Sequence, residues 1–161
     1  MGRNAAGSEN ITFGQMHVNH LNQVVQIENV SFPTPWTKNA FDYELRVNDF
    51  AHYIVALTDI QTVVGYAGMW IVLDEAHVTN IAVHGDYRGR GLGTALMLQL
   101  VQKAISFGVQ RMTLEVRPSN LPARVLYSRL GFEEYGFRKN YYADTKEDAI
   151  IMWKNDLSRI P

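Results

Sequence analysis

The sequence predicts a mixed α/β fold, and three observations in it support this prediction. Three runs rich in aromatic and β-branched residues follow one another between residues 50 and 83, which is typical of neighbouring strands. A strongly helical apolar stripe begins at Leu92, directly after a loop rich in glycine. Strand-like and helix-like segments then alternate to the end of the chain. This order favours a sheet covered by helices over an all-α or an all-β fold.

The composition is that of an ordinary globular protein. The 161 residues are 47% hydrophobic and 19% charged, with a net charge of −1, which argues against a protein that coats nucleic acid. The chain has no cysteine, so disulfides, thiolate zinc sites and a cysteine nucleophile are excluded. No apolar run approaches the ~20 residues of a membrane span. We expect a cytoplasmic protein with no direct nucleic-acid or membrane partner. One domain is expected at residues 11–157, after a flexible polar tail at residues 1–10.

The first third of the chain predicts a short strand and two helices. The strand is expected at residues 11–16 and the first helix at residues 17–30. The apolar residues of this helix recur at helical spacing: Val18, Leu21, Val24 and Val25. Two prolines within residues 32–36 end it. Thr37 is a suitable N-cap for a second helix, which is expected to run to about Val47.

The next segment predicts three adjacent strands. They are expected at residues 50–57, 62–73 and 75–83. The turn-like residues 59–61 separate the first two strands, and an Asp-Glu pair separates the second from the third. Because these connections are short, we expect an antiparallel meander.

The long helix is predicted at residues 92–107, where Gly108 can end it. Its apolar stripe consists of Leu92, Leu96, Leu100, Val101, Ala104 and Ile105. A strand is expected at residues 109–116. Alternation in this strand places Met112, Leu114 and Val116 on one face and Arg111, Thr113 and Glu115 on the other.

The remaining residues predict one more helix and two more strands. Asn120 can cap a helix that carries Pro122 in its first turn and runs to Leu130, where a glycine follows. The two final strands are expected at residues 132–138 and 147–154. A strand–helix–strand–helix unit and a hairpin therefore follow the meander.

The glycine loop, residues 88–94 with the sequence Arg-Gly-Arg-Gly-Leu-Gly-Thr, has the chemistry of a phosphate-binding loop. Alternating glycines let the backbone approach a ligand closely. The free N–H groups at the start of the following helix attract anions, and Arg88 and Arg90 add positive charge. A flexible turn with solvated arginines is the alternative interpretation.

Two better-known phosphate-binding patterns do not describe this loop. The Walker pattern requires a lysine that the loop lacks, and the dinucleotide-binding pattern requires a glycine five positions after its first glycine. Those positions hold Thr94 and Leu96, counted from Gly89 and Gly91. The chain beyond Glu115 is also too short for a second mononucleotide-binding half. The loop therefore gives little support to a dinucleotide-binding protein.

The glycine loop, with the strand before it, resembles the acetyl-CoA signature of the GNAT superfamily of acetyltransferases. Arg88, Gly91 and Gly93 satisfy the superfamily pattern Arg/Gln-x-x-Gly-x-Gly/Ala. The resemblance extends from about Ile27 to Met152 and points more narrowly to the bacterial ribosomal-protein-alanine N-acetyltransferases of the RimI type. It rests on residues 32–37, 73–76, 114–120, 126–127, 130–132, 138–142 and 147–152.

The resemblance implies a fold and a cosubstrate site. The implied GNAT fold is a mixed, mostly antiparallel sheet that is splayed between its fourth and fifth strands and flanked by about four helices. Acetyl-CoA would occupy the splay, with its pantetheine arm against one strand and its pyrophosphate in the glycine loop. No metal is implied. The implied acetyl-CoA-binding residues are Ile81, Ala82, Val83, Arg88, Gly89, Arg90, Gly91, Leu92, Gly93, Thr94 and Asn120.

The resemblance also implies a catalytic pair, Glu115 as general base and Tyr127 as general acid. A peptide α-amine has a pKa of about 7.7–8.0, so much of it must lose a proton before it attacks a thioester. Glu115 would take that proton directly or through a water molecule, and Tyr127 would protonate the departing thiolate. From the residues alone, a solvent-facing glutamate and an ordinary core tyrosine remain the alternatives.

The substrate contacts follow from two aromatic segments. Phe32 and Trp36 would form one wall of a peptide groove, and Tyr141 and Tyr142, beside Asp144, the other. Simple packing is the alternative for all of them. The histidines are scattered and predict no metal site: His17, His20, His52, His77 and His84.

The expected partner is a ribosomal protein with an N-terminal alanine, and the enzyme is expected to be a monomer or a weak dimer. Two other functions remain open. The first is a GNAT acetyltransferase that acts on another peptide N-terminus, on a lysine or on a small amine, because the same loop serves all of these. The second is a protein that binds acyl-CoA without catalysis.

Overall fold

The computed structural model describes residues 9–159, which form one seven-stranded sheet and four α-helices. The expected tail at residues 1–10 lies almost wholly outside the described residues. The strands are β1 (Thr12–Gln15), β2 (Ala51–Leu57), β3 (Val63–Val72), β4 (Glu75–Val83), β5 (Arg111–Val116), β6 (Glu133–Arg138) and β7 (Ala149–Lys154). The helices are α1 (Leu21–Ser31), α2 (Lys38–Arg46), α3 (Leu92–Ser106) and α4 (Leu121–Arg129). The mixed α/β prediction is confirmed.

The sheet is mostly antiparallel, as expected. Its strand order is β1-β2-β3-β4-β5-β7-β6, and β1 to β4 form the predicted meander. Only β4 and β5 run parallel among these neighbours, because α3 carries the chain back across one face of the sheet between them.

The parallel pair is short, and this opens the sheet. β4 and β5 pair only where Glu75, Ala76 and His77 face Arg111, Met112 and Thr113. Beyond this point β4 stays with β3 as far as Val83, and β5 stays with β7 as far as Val116. The two strands therefore diverge, and the space between residues 78–83 and 114–116 is called the cleft below. The expected splay between the fourth and fifth strands is confirmed.

A β-bulge in β4 lies where the strands begin to diverge. Gly68 and Met69 are adjacent in β3, but their partners in β4 are Asn80 and Val78, so Thr79 is an extra residue. Bulges bend a strand and increase its twist. The bulge at Thr79, two residues after the last β4–β5 pair at His77, therefore explains why β4 diverges from β5 beyond that pair.

The bulge also reverses which face of the sheet each β4 side chain occupies. Val78, before the bulge, belongs to the core beneath α3, whereas Ala82, after it, belongs to the core beneath α1 and α2. Ile81 and Val83 correspondingly pack against the α3 core. A one-residue shift has this effect because side chains alternate between faces along a strand.

The two cores cover opposite faces of the sheet. The α3 core combines the buried stripe of the long helix with the alternating residues of β5: Leu92, Leu96, Leu100, Val101, Ala104, Met112, Leu114 and Val116. The other core packs α1 and α2 on the first strands and includes Leu21, Val24, Ile27, Phe41, Tyr53 and Tyr66. Burial of these side chains is the main favourable contribution to folding, at about 1.5–3 kcal/mol for each large one.

Two helix caps form as predicted. The Thr37 hydroxyl accepts the Ala40 N–H at 3.1 Å and begins α2. The Asn120 side-chain oxygen accepts the Ala123 N–H at 3.3 Å and begins α4. Each satisfies an N–H group that has no partner inside its helix.

Two details of the predicted helices were wrong. The first helix begins with a separate 3₁₀ turn, Val18–His20, and becomes α-helical only at Leu21, which leaves Val18 exposed. Ile105 is 43% exposed and does not belong to the buried stripe of α3. At about 100° per residue it lies about 140° around the helix axis from Leu100, at the edge of the apolar face.

We predict that Gly68→Ala destabilises the protein by about 1–3 kcal/mol, the usual cost of overpacking. A Cβ at Gly68 would lie 2.0 Å from Cε1 of the buried Tyr53 ring. That ring has little freedom to move, because its hydroxyl bonds to Thr79 at 2.8 Å and to Asn80 at 3.2 Å. Chemical unfolding measures the change.

Gly14→Ala is the matched control for this prediction. Gly14 is also in the sheet, but a Cβ there meets no atom within 4 Å. This variant should leave stability unchanged or raise it by up to about 1 kcal/mol. Equal midpoints for the two variants would contradict the role assigned to the Gly68–Tyr53 contact.

Candidate active site

The cleft brings two of the predicted site segments face to face. Ile81, Ala82 and Val83 lie on β4 beyond its last pair with β5, and Glu115 lies on β5 two residues beyond its own last pair, Thr113. Within residues 9–159, neither segment pairs with the other. The β4 edge therefore offers backbone N–H and C=O groups to an extended ligand.

The glycine loop lies at the end of β4 and forms the N-terminus of α3. Gly91 is the N-cap with φ of 79°, and Gly89 has φ of 76°, a left-handed conformation that favours glycine. An added Cβ at either position would meet no atom within 4 Å, so the surface beside the backbone is open. The first turn of α3 carries no acidic side chain. This arrangement fits a pyrophosphate group.

The arginines of the loop have different partners. Arg88 Nε donates to the Val83 carbonyl oxygen at 3.1 Å, which ties the loop to the end of β4. The Arg90 guanidinium lies 4.9 Å from the centre of the Tyr87 ring. Both side chains are exposed and keep their positive charge beside the start of α3, where an anion would be stabilised.

The start of α3 packs directly against α4. A Cβ at Gly93 would lie 3.0 Å from Leu126 Cδ1, so glycine permits this close approach. Leu92 is buried and Thr94 is exposed on the same turn. Because the Asn120 side-chain oxygen caps α4, its NH2 group is the part of the amide that faces other partners. The first turn of α3 and α4 are thus in contact through Gly93 and Leu126.

Glu115 is a buried carboxylate with two basic neighbours. Its side chain is only 6% exposed. Oε2 lies 2.5 Å from Nε2 of His77, and Oε1 lies 3.6 Å from Nη2 of Arg138. The alternative of a solvent-facing glutamate is therefore wrong: the carboxylate faces inward, in the half of β5 that borders the cleft.

Tyr127 is buried on α4 and edge-on to Phe132, with ring centres 6.0 Å apart. Burial raises the pKa of its hydroxyl, and the nearby Tyr142 raises it further. The hydroxyl is therefore protonated at neutral pH and can donate a hydrogen bond or a proton. Tyr142 is also near enough to Glu115 for the charge of that carboxylate to contribute to the raised pKa of Tyr142.

The segment between β6 and β7, residues 139–148, carries the paired tyrosines and is called the tyrosine loop. The Tyr141 and Tyr142 rings pack edge to face with centres 5.0 Å apart. Tyr141 is exposed, whereas burial raises the pKa of Tyr142 to about 12, with Tyr141 adding to the increase. One tyrosine therefore anchors the loop and the other faces outward.

Arg117, which sequence reasoning did not single out, holds this loop against the end of β5. Its guanidinium bonds to both carboxylate oxygens of Asp144, at 3.0 and 2.8 Å, and to the Thr145 hydroxyl at 2.9 Å. It also lies 3.9 Å from the centre of the Tyr142 ring. These hydrogen bonds lower the pKa of Asp144. The clue in the sequence was an arginine directly after a strand and an aspartate in the distant loop.

The other predicted wall, between α1 and α2, is packed on the protein core. Phe32 and Trp36 are half-buried, and the Trp36 ring lies 5.4 Å from Phe41. The backbone N–H of Trp36 donates to Oε1 of Glu28 at 3.2 Å. Packing therefore accounts for a large part of both side chains, and only their remaining surface is open to a substrate.

Glu28 is a second buried carboxylate that sequence reasoning missed. Burial raises its pKa, while hydrogen bonds from Tyr66, Trp36 and Asn80 act in the opposite direction. These partners come from β3, the α1–α2 connection and β4 respectively. The carboxylate thereby connects the segment that contains Trp36 with β4, the strand that borders the cleft.

Among residues 9–159, no helix combines the length and apolar character needed to cross a bilayer. In the same residues, no three histidine or acidic side chains converge in a way that could hold a metal ion.

Comparison with known proteins identifies the domain. The model of the acetyltransferase (GNAT) family matches residues 21–132, more than half of the chain. A candidate ribosomal protein bS18-alanine N-acetyltransferase of Bacillus subtilis (strain 168) is 46% identical over 138 residues, which cover 86% of this chain and 91% of that protein. The ribosomal protein bS18-alanine N-acetyltransferase of Escherichia coli (strain K12) is 38% identical over 144 residues, covering 88% of this chain and 95% of that protein.

A solved structure agrees with these sequence matches. The crystal structure of the ribosomal-protein-S18-alanine N-acetyltransferase from Escherichia coli superposes with a TM-score of 0.81 and 35% sequence identity. The superposition covers 89% of this chain and 92% of that one. The splayed mixed sheet is therefore shared over nearly the whole length of both chains.

We predict that Arg117→Ala loosens the tyrosine loop. The variant removes the hydrogen bonds to Asp144 and Thr145 together with the contact to the Tyr142 ring. Backbone amides of residues 139–148 should then exchange with deuterium about tenfold faster or more, since local opening becomes less costly. Hydrogen exchange followed by mass spectrometry measures this.

Arg111→Ala serves as the control for the loop. Arg111 lies at the other end of β5, where it forms an exposed ion pair with Glu75 and lies 5.0 Å from the Trp153 ring centre. Its loss should leave exchange in residues 139–148 unchanged. Unaltered protection of these residues in Arg117→Ala would show that other contacts hold the loop.

Proposed function

The chain belongs to the acetyltransferase (GNAT) family, and from this premise we propose that it acetylates the N-terminal alanine of a ribosomal protein. Family membership and its relatives make it an acetyl-CoA-dependent N-acetyltransferase. The alanine substrate is supported by relatives at 46% and 38% identity, whose names specify ribosomal protein bS18-alanine. We further infer that residues 11–157 form one acetyltransferase domain and that the reaction takes place in the cytoplasm.

Acetyl-CoA supplies the acetyl group as a thioester, an activated acyl donor. We propose that the β4 edge at Ile81, Ala82 and Val83 receives its extended arm. The glycine loop would hold the pyrophosphate through the N–H groups at the start of α3, with Arg88 and Arg90 adding positive charge. Leu92, Gly93 and Thr94 would complete this cradle, and the Asn120 amide would contact the cosubstrate from the α4 side. The open left-handed backbone at Gly89 and Gly91 supports this assignment.

Glu115 is the proposed general base. Its carboxylate is buried, borders the cleft and has two basic neighbours, so it is held in one orientation. It would remove a proton from the α-ammonium group of the peptide, directly or through a water molecule, and so expose the nitrogen lone pair. The observation that carries the proposal is this buried carboxylate beyond the last β4–β5 pair, on the strand opposite the proposed cosubstrate edge.

Tyr127 is the proposed general acid. Its hydroxyl is protonated at neutral pH because burial raises its pKa. It would donate a proton to the departing thiolate of CoA. Leu126, the residue before Tyr127, contacts the first turn of α3 at Gly93, which connects the helix of the proposed acid to that of the proposed pyrophosphate site.

Four aromatic residues are the proposed peptide contacts: Phe32, Trp36, Tyr141 and Tyr142. Arg117 orders the tyrosine loop, and Glu28 orders the segment that contains Trp36. Binding sites commonly combine such ordered aromatic walls with a few polar groups. The two walls come from distant parts of the chain, the connection between α1 and α2 and the tyrosine loop.

The first test of this function measures CoA release with three peptides. One begins with a free alanine and has the N-terminal sequence of the ribosomal protein, the second is the same peptide with a blocked N-terminus, and the third carries a lysine and a blocked terminus. We expect turnover with the first peptide alone. Turnover with the lysine peptide or only with small amines would support an acetyltransferase but contradict the proposed alanine substrate. A protein that binds acetyl-CoA without turning over any amine would be the non-catalytic alternative.

In the same assay, Glu115→Gln should lower kcat about 100-fold or more, because an amide cannot accept the proton. Its affinity for acetyl-CoA should stay unchanged. Glu133→Gln, an exposed substitution on β6, is the control and should retain full turnover. A Glu115→Gln enzyme with normal kcat would refute the role of Glu115 as base.

We also predict that Gly91→Val weakens acetyl-CoA binding by about tenfold or more, equivalent to about 1.4 kcal/mol. Valine strains the left-handed backbone of the N-cap, so the N–H groups of the loop lose their arrangement. Isothermal titration calorimetry with acetyl-CoA measures the affinity.

Gly108→Val is the matched control for Gly91→Val. Gly108 has the same φ of 79° and the same open surroundings, but it follows the other end of α3. Both variants should lose about 1–2 kcal/mol of stability, whereas only Gly91→Val should lose affinity. Equal affinities for acetyl-CoA in the two variants would contradict the placement of the pyrophosphate in the glycine loop.

A further inference from the structure

His77 lies where β4 and β5 separate and contacts Glu115, the proposed base. It is the last residue of β4 that pairs with β5, immediately before the strands diverge. Its side chain is 32% exposed, whereas that of Glu115 is 6% exposed. The 2.5 Å contact between Nε2 of His77 and Oε2 of Glu115 therefore joins a buried carboxylate to a ring that reaches water.

The ring is held on more than one side. Trp70 of β3 packs edge to face with it, with ring centres 6.2 Å apart. Trp70 is in turn fixed by its indole N–H, which donates to Glu44 of α2 at 3.1 Å. The chain of contacts leaves the imidazole little rotational freedom, so Nε2 stays directed at Glu115.

We infer that His77 is a positioning residue for Glu115, holding its carboxylate in place and making its activity as a base depend on the charge of the imidazole. This inference rests on the proposed function. With a neutral ring, the Nε2–H donates to Oε2 and leaves Oε1 for the proton of the substrate amine. Oε1 has only the longer contact of 3.6 Å to Arg138.

The proton balance of the step is simple. One proton passes from the α-ammonium nitrogen to Oε1 of Glu115, and the N–H bond electrons remain on nitrogen as the attacking lone pair. Glu115 becomes a neutral carboxylic acid, the Nε2–H of His77 stays in place, and the proton later leaves to water. An imidazolium at His77 opposes this step, because a neighbouring positive charge favours the ionised carboxylate.

Imidazole is the side chain whose ordinary titration lies between about pH 5 and 8, so the test of this inference covers that range. The charged and titratable groups around the pair come from several elements and are the same in every variant tested. They are Arg138 of β6, Tyr141 and Tyr142 of the tyrosine loop and, behind Trp70, Glu44 of α2.

The test compares pH profiles of kcat for wild type, His77→Gln and His77→Ala with the alanine-initiated peptide. Because the substrate amine titrates identically in all three, the ratio of variant to wild-type kcat reports only differences between the enzymes. For His77→Gln, whose amide can still donate to Glu115, we expect at least about a third of wild-type kcat at about pH 8.5. The ratio should rise about threefold to tenfold by about pH 6. His77→Ala should show the same rise from a baseline about tenfold lower, since the hydrogen bond that orients the carboxylate is lost.

His52→Gln is the control, because His52 is another partly exposed histidine whose ring is tilted against Phe107, with centres 4.7 Å apart, and it makes no hydrogen bond to Glu115 within residues 9–159. Its profile should be parallel to that of wild type. Parallel profiles for His77→Gln and wild type would overturn the inference, even if His77→Gln were slower, since a purely structural role would scale kcat equally at every pH.

A second measurement separates this inference from the proposed function. Nitrogen-15 NMR of the free enzyme reports the Nε2–H of His77 without any turnover. We expect an exchange-protected, downfield signal at about pH 8 in wild type that is lost in Glu115→Gln and kept in His52→Gln. If the signal is present but the enzyme turns over no amine, the proposed function is contradicted and the contact between His77 and Glu115 is not. Its absence from wild type would sink the contact between His77 and Glu115.

Discussion

The structure depends on how briefly β4 and β5 stay together. Three residue pairs join the two halves of the sheet, and the bulge at Thr79 then turns β4 away. The Tyr53 ring stabilises this turn, since it crosses Gly68 and bonds through its hydroxyl to both Thr79 and Asn80. If the strands paired to their ends, the backbone of residues 81–83 would be used by the sheet and Glu115 would face a neighbouring strand. The cleft exists because that pairing stops at His77.

Polar contacts with low exposure then fix what surrounds the cleft. Burial of a charge is costly unless it is paired and hydrogen-bonded, and each buried carboxylate here has several partners. Glu28 holds the segment before α2, Arg117 holds the tyrosine loop, and His77 and Arg138 flank Glu115. These contacts order the two aromatic segments and the Glu115 carboxylate, while the apolar cores beneath α1 and α3 provide most of the stability.

Local features of the fold could be predicted because their causes lie in neighbouring residues. The alternation of Met112, Leu114 and Val116 depends on the period of a strand, and the caps at Thr37 and Asn120 depend on hydrogen bonds over three residues. The glycine loop could be located from Gly89 and Gly91, whose left-handed backbone the structure contains. The roles of Glu115, Tyr127 and the aromatic walls came from resemblance and remain predictions. His77, Arg117 and Glu28 could not be found this way, since their partners are 38, 27 and 38 residues away.

The sequence by itself therefore determined the fold class, the order of the elements, the caps and the place of the glycine loop, all of which follow from short-range periodicity and backbone preference. The tertiary structure alone decided where β4 leaves β5, which face each β4 side chain occupies after Thr79, and which basic groups meet Glu115. The physical reason is that strand register and side-chain pairing are set by contacts between residues distant in the chain. A single bulge residue reverses the faces of a strand without leaving a periodic signal in the sequence.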